Sequence, residues 1–66
     1  MSREYSLVGV DGNAFSVMGY VSDAMRECGM KKEDIDNYQI EAMSGDYNNL
    51  LAVSCEMLDR LNTEVL

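Results

Sequence analysis

Sixty-six residues with a formal net charge of −7, no histidine and five scattered bases (Arg3, Arg26, Lys31, Lys32 and Arg60) exclude the electrostatic footprint of a DNA or RNA binder, which neutralises phosphates with clustered Lys and Arg. No apolar run approaches the roughly 20 residues that span a bilayer, so no membrane partner is expected, and near-average apolar content without proline argues against a disordered tail. A single domain over residues 1–66 buries only about 60% of the surface its unfolded chain exposes, which leaves a thin stability margin.

In chain order, Arg3 to Val10 carries Tyr5, Leu7, Val8 and Val10, bounded by a Gly/Asp cluster, and reads as a short N-terminal β-strand. Asp11-Gly12-Asn13 then offers residues tolerant of positive φ and two candidate N-cap oxygens. Ala14, Val17, Met18, Val21, Met25 and Cys28 follow helical spacing and give a first helix that ends at Gly29. Gly19 lies inside it at a propensity cost of about 1 kcal/mol, which points to close approach of another backbone. Lys31 to Met43 repeats the pattern with Ile35, Tyr38 and Ala42, and its early acids suit the positive end of the helix dipole.

Ser44-Gly45 reads as a stop, with the glycine at a left-handed position, and Asp46 as the N-cap of a third helix. Tyr47, Leu50, Leu51, Ser54, Leu58 and Leu61 mark one face of that helix, which Val53, Cys55 and Met57 widen. Residues 62–66 read either as a frayed end or, the favoured alternative, as a second short strand pairing with the first. The expected fold is therefore α+β: one strand and three helices, with a short closing strand in the favoured of the two readings of residues 62–66, and most of the core supplied by the first and third helices.

Small folds usually gain extra stability from disulfides, a metal or a partner. Cys28 and Cys55 read as free thiols in the core of a protein in a reducing cytosol, since no signal-peptide pattern is present. Without histidine or a cysteine pair at ligand spacing no zinc site is expected, nor any other metal or cofactor. Self-association, or a heterologous protein partner, is what remains.

Catalysis needs a positioned nucleophile with a base or two carboxylates in different environments, and neither cysteine stands at a helix start where its pKa would fall; no enzyme is expected. The strand, turn and helix start at Gly9 to Phe15 have the generic geometry of an anion or nucleotide site, with Gly12, Asn13, Ala14 and Phe15 as candidate ligand residues. The match is poor, because Gly9-x-x-Gly12 encloses the carboxylate of Asp11, and a capping turn is the favoured reading. A calcium loop is excluded by the missing regularly spaced acids.

Asp23, Glu27, Glu33, Asp34, Asp36 and Glu41 form a candidate acidic patch on the first two helices, either a solvated face or a nucleic-acid mimic offered to a basic cleft. Met18, Met25, Met43 and Met57 lie at or beside the buried stripes as core fillers, with a dimer interface as the second reading. The edge of the N-terminal strand and the wide face of the third helix invite a second copy, with Tyr5, Leu7, Val53, Met57 and Leu61 as candidate interface residues.

Leu7-Val8-Gly9, Asp11-Gly12-Asn13-Ala14-Phe15, Met18-Gly19 and Ala42-Met43-Ser44-Gly45-Asp46-Tyr47 with Leu50-Leu51 together resemble a family of very short, functionally uncharacterised proteins of bacterial genomes and their phages. Lys31 departs from it, standing where similar sequences carry a serine-like cap. The resemblance implies a cytoplasmic setting and a phage or mobile-element origin, without site residues. The functional expectation is a non-enzymatic, homodimeric, acidic interaction protein, in a phage setting an inhibitor of a host protein, with a small-ligand module as the alternative.

Overall fold

In the computed structural model, which describes residues 4–64 and side chains over 4–63, three helices follow one another: α1 (Ala14–Glu27), α2 (Lys32–Ala42) and α3 (Tyr47–Glu64). Each packs against the other two. Their shared core is Val17, Val21 and Met25 from α1, Ile35 and Tyr38 from α2, and Leu50, Leu58 and Leu61 from α3, with Met18, Ala24 and Ala42 filling between them. Among the described residues no buried side-chain nitrogen or oxygen lacks a partner. The hydroxyls of Tyr38 and Ser54 meet at 2.6 Å between α2 and α3, and the Gln39 amide donates to Ser22 Oγ at 2.9 Å between α2 and α1. These two polar links fix the register of α2, the helix with the shortest apolar stripe.

The helix ends follow from local chemistry. Asn13 is the N-cap of α1, its Oδ1 accepting from the Phe15 N–H at 2.8 Å. At the other end Gly29 takes φ +82, the Met30 N–H donates to the Met25 carbonyl and the Gly29 N–H to that of Arg26, a Schellman closure that only a residue comfortable at positive φ completes without strain. Lys31, the N-cap of α2, makes no side-chain cap bond, and Glu33 and Asp34 in the first turn supply negative charge there instead. Asp46 caps α3 by accepting from the Asn49 N–H at 2.9 Å. Asn49 in turn donates to the Glu41 carbonyl at 3.0 Å, closing the end of α2 with a side chain of α3.

The fold is all-α, which corrects the α+β expectation: no strand occurs among the described residues. Glu4 to Val10 is irregular chain, and its Leu7–Val10 portion is a turn in which the Val10 N–H donates to the Leu7 carbonyl and Gly9 takes φ +86, as the third position of a type II turn requires. The strand's absence has a direct cause in its neighbours. The backbone of Tyr5 pairs with the side chain of Asn62 on α3, Tyr5 N–H to Oδ1 at 2.7 Å and Nδ2–H to the Tyr5 carbonyl at 2.9 Å. One carboxamide thus satisfies the two groups that a partner strand would have paired, and the Ser6 N–H goes to the Tyr20 hydroxyl. Residues 62–64, expected to be frayed or extended, continue α3; Val65 and Leu66 of the proposed closing strand, and Arg3 of the first, lie outside the described residues.

Four smaller expectations change as well. Cys55 is exposed and Cys28 half-buried, so neither thiol is enclosed in the core. Met43 is 65% exposed instead of filling the core. A Cβ on Gly19 would meet nothing within 4 Å, so no backbone approaches it. Gly45 has no positive φ; it is needed for space, because a Cβ there would stand 2.9 Å from Asn49 Cβ.

Candidate functional site

Among the surface depressions that the described residues form around the shared core, two are lined by three or more apolar side chains, and they differ in charge. The first lies where the start of α1, the end of α2 and the start of α3 converge. Met18, Ala42 and Leu50 form its buried floor, Phe15, Met43 and Tyr47 stand exposed around it, and it encloses about 290 Å³. The sequence holds these three side chains out of the core because each sits at a helix end. Phe15 is in the first turn of α1, off the Val17–Val21 stripe; Met43 is the residue that closes α2; Tyr47 opens α3. The Tyr47 hydroxyl donates to the Gly12 carbonyl, tying α3 to the turn before α1. Among the residues lining this cleft Asp46 alone is charged, and its carboxylate is engaged as the α3 cap.

The second depression runs between α2 and α3 and encloses about 380 Å³. Half-buried Met30, Val53 and Met57 provide its apolar surface beside the enclosed ring of Tyr38. Its rim carries the carboxylates of Asp34, Glu41 and Glu56 against the guanidinium of Arg60.

The residues singled out in sequence distribute over these features unevenly. Val53 and Met57 line the α2/α3 groove, whereas Leu61 is 4% exposed and belongs to the core, with no surface to offer a partner. Tyr5 and Leu7 are half-buried against the same core and lie on irregular chain, so the strand edge they were expected to present does not exist. The Gly12–Phe15 turn makes bonds within the chain: the Gly12 carbonyl accepts from Tyr47, the Phe15 N–H goes to Asn13, and the Asn13 N–H to Asp11 Oδ1 at 3.2 Å.

All six acids of the candidate patch are exposed, yet they face different neighbours. Asp23 pairs with Arg26 at 2.7 Å and Asp36 with Lys32 at 3.1 Å, each within its own helix. Glu27 accepts from the Tyr5 hydroxyl at 3.0 Å, Asp34 and Glu41 border the α2/α3 groove, and Glu33 borders neither depression.

A small polar cluster ties the N-terminal segment to the end of α1. The Cys28 thiol donates to the Tyr5 hydroxyl at 3.7 Å, which donates to Glu27. Burial, then the bonds to Cys28 and Glu27, push the Tyr5 phenol up to about 12. Burial also raises Tyr38, partly opposed by its bond to Ser54. No group of three or more metal-ligating side chains is found among the described residues, and no helix among them is long and apolar enough to cross a membrane.

Sequence reasoning missed the grouping of Phe15, Met43 and Tyr47, assigning Met43 and Tyr47 to buried stripes. The available signal was their position at helix termini, where a stripe residue has helix neighbours on one side only. No family model, curated protein or solved structure matches this chain.

Proposed function

We propose that this protein acts without catalysis, as a small acidic interaction module that associates with a second copy of itself through the Phe15–Met43–Tyr47 cleft and presents the remaining surface to another protein. The observation that carries this reading is the gathering of three large exposed apolar side chains around one depression whose single charged residue, Asp46, is engaged as a helix cap. Exposed apolar clusters rimmed by polar surface mark interaction sites. Charge argues for the second copy as occupant. Two molecules of net charge −7 repel, and a face whose one carboxylate is already engaged as a helix cap lets them meet at little cost.

Aromatic and methionine side chains are the residue types enriched at the centres of such interfaces. Sedimentation equilibrium tests the proposal: the wild type gives a dimer mass at high micromolar concentration and Phe15→Glu gives a monomer. A wild type that stays monomeric there, or a Phe15→Glu protein that dimerises as well as the wild type, removes the self-association.

A further inference from the structure

We infer that the groove between α2 and α3 is a receptor for a basic amphipathic helix of a partner protein. The inference rests on the interaction reading above but concerns a different surface, so each can fail without the other.

The groove combines an apolar floor with a rim of net negative charge, Asp34, Glu41 and Glu56 against the single guanidinium of Arg60. Met30, Val53 and Met57 supply the floor, and two of the three are methionines, whose unbranched thioethers re-pack around an incoming side chain at little cost. Asp34, Asn37 and Glu41 line the α2 side at spacings of three and four, which places them in one row along the helix, the two carboxylates two turns or about 10.5 Å apart. Glu56 faces them from α3.

A helix laid along this groove with Lys or Arg at i and i+7 meets both α2 carboxylates, and apolar residues at i+3 and i+4 drop between them onto the methionines. That is the helix-in-groove mode of recognition, with charge setting the orientation. The same rim rejects the other occupants. A second copy would bring carboxylates against carboxylates, and nucleic acid would bring phosphates. The length fits also: α2 has 11 residues, so its wall is about 16 Å long and matches three turns of a partner helix.

The test uses the full chain and an end-blocked Leu/Lys amphipathic peptide of about 14 residues, with lysines at i and i+7 and leucines at i+3 and i+4. Its control is a Leu/Glu peptide with the same leucine spacing. Amide shift changes on titration are expected at Met30, Asp34, Asn37, Val53 and Met57 with the lysine peptide alone. Two variants carry the same change in net charge. Glu41→Lys, on the rim and at the end of α2 where a cation suits the dipole, is expected to weaken binding about tenfold; Glu33→Lys, off the groove, is expected to leave it within about twofold.

Equal weakening by both variants would show diffuse attraction to an acidic molecule and overturn the inference. So would shifts centred on Phe15, Met43 and Tyr47, equal binding of the glutamate peptide, or no saturable binding. Circular dichroism of both variants checks that the helices are retained. Dimer mass measured on the same samples reports the self-association separately.

Discussion

The cleft at the helix ends and the groove between α2 and α3 are similar in volume and share an apolar floor, yet one is lined by a single engaged carboxylate and the other by three carboxylates and one guanidinium. Hydrophobic burial would drive association at either, since it is non-directional and scales with apolar area. Charge decides what each admits. On a molecule of net charge −7 the cleft with one engaged carboxylate would let a like copy approach at little cost, and the acidic rim would favour a basic partner.

The sharpest way to break this contrast is Met43→Lys. Symmetry would place the new ammonium in the dimer interface twice, and the expected loss is about 2–4 kcal/mol of association, read as a monomer by sedimentation, with peptide binding at the groove unchanged. Next in size, Asn62→Ala removes both bonds of the clamp on Tyr5 and is expected to lower unfolding stability by about 2 kcal/mol. Dimer mass and peptide affinity measured well below the melting transition should not move, because Asn62 lines neither depression. A change in either would show that the N-terminal segment shapes the surfaces.

Salt should push the two surfaces in opposite directions. Raising ionic strength from about 0.02 M to about 0.5 M shortens the screening length several-fold. Repulsion between copies then falls and the dimer tightens, while the attraction of the groove for a lysine peptide weakens, by about tenfold or about 1.4 kcal/mol. Isothermal titration of each process at the two salt concentrations checks the signs; the same sign for both would dissolve the distinction.

The contrast was only half visible in the residues. The three helices, the caps at Asp11-Gly12-Asn13 and Asp46, and Gly29 as a stop are local, repeating signals; the structure has them there, with Asn13 the one of the two candidates that caps α1 and with α3 continuing to Glu64. Glu4 to Val10 misled because β-branched and aromatic residues report a preference for a half-buried surface, which this segment satisfies by laying Tyr5 and Leu7 on the helices. Whether such a segment becomes a strand depends on a partner strand, and the partner is instead one carboxamide 57 residues away.

The cleft at the helix ends was hidden for a similar reason. Phe15, Met43 and Tyr47 stand at the start of α1, the C-cap of α2 and the start of α3, and meet only once the three helices pack. The acids were legible as exposed, but their division between intrahelical pairs and the groove rim depends on which way α2 turns toward α3.

Gly19→Ala separates local helix stability from both surfaces. With open space around the site, the alanine is expected to add about 1 kcal/mol of stability and raise the melting temperature, without altering either association. If it instead disrupts the dimer, Gly19 is part of that interface.

The smallest expected effect is alkaline. The Tyr5 phenol is held protonated to about 12 in the fold against an ordinary value of 10, so the neutral form is favoured by folding. Its stabilising contribution is complete below pH 10 and is lost as pH rises through 12. Tyrosinate absorbance should show Tyr5→Phe deleting a late-titrating group, and an unchanged titration would contradict the Tyr5–Glu27–Cys28 arrangement.

The most direct test of the account is the concentration dependence of the backbone amide shifts. Dilution from high to low micromolar protein is predicted to move Phe15, Met18, Met43, Tyr47 and Leu50 along one two-state curve while Asp34, Val53 and Met57 stay fixed. Shifts that do not depend on concentration, or that move at the acidic groove instead, would contradict it.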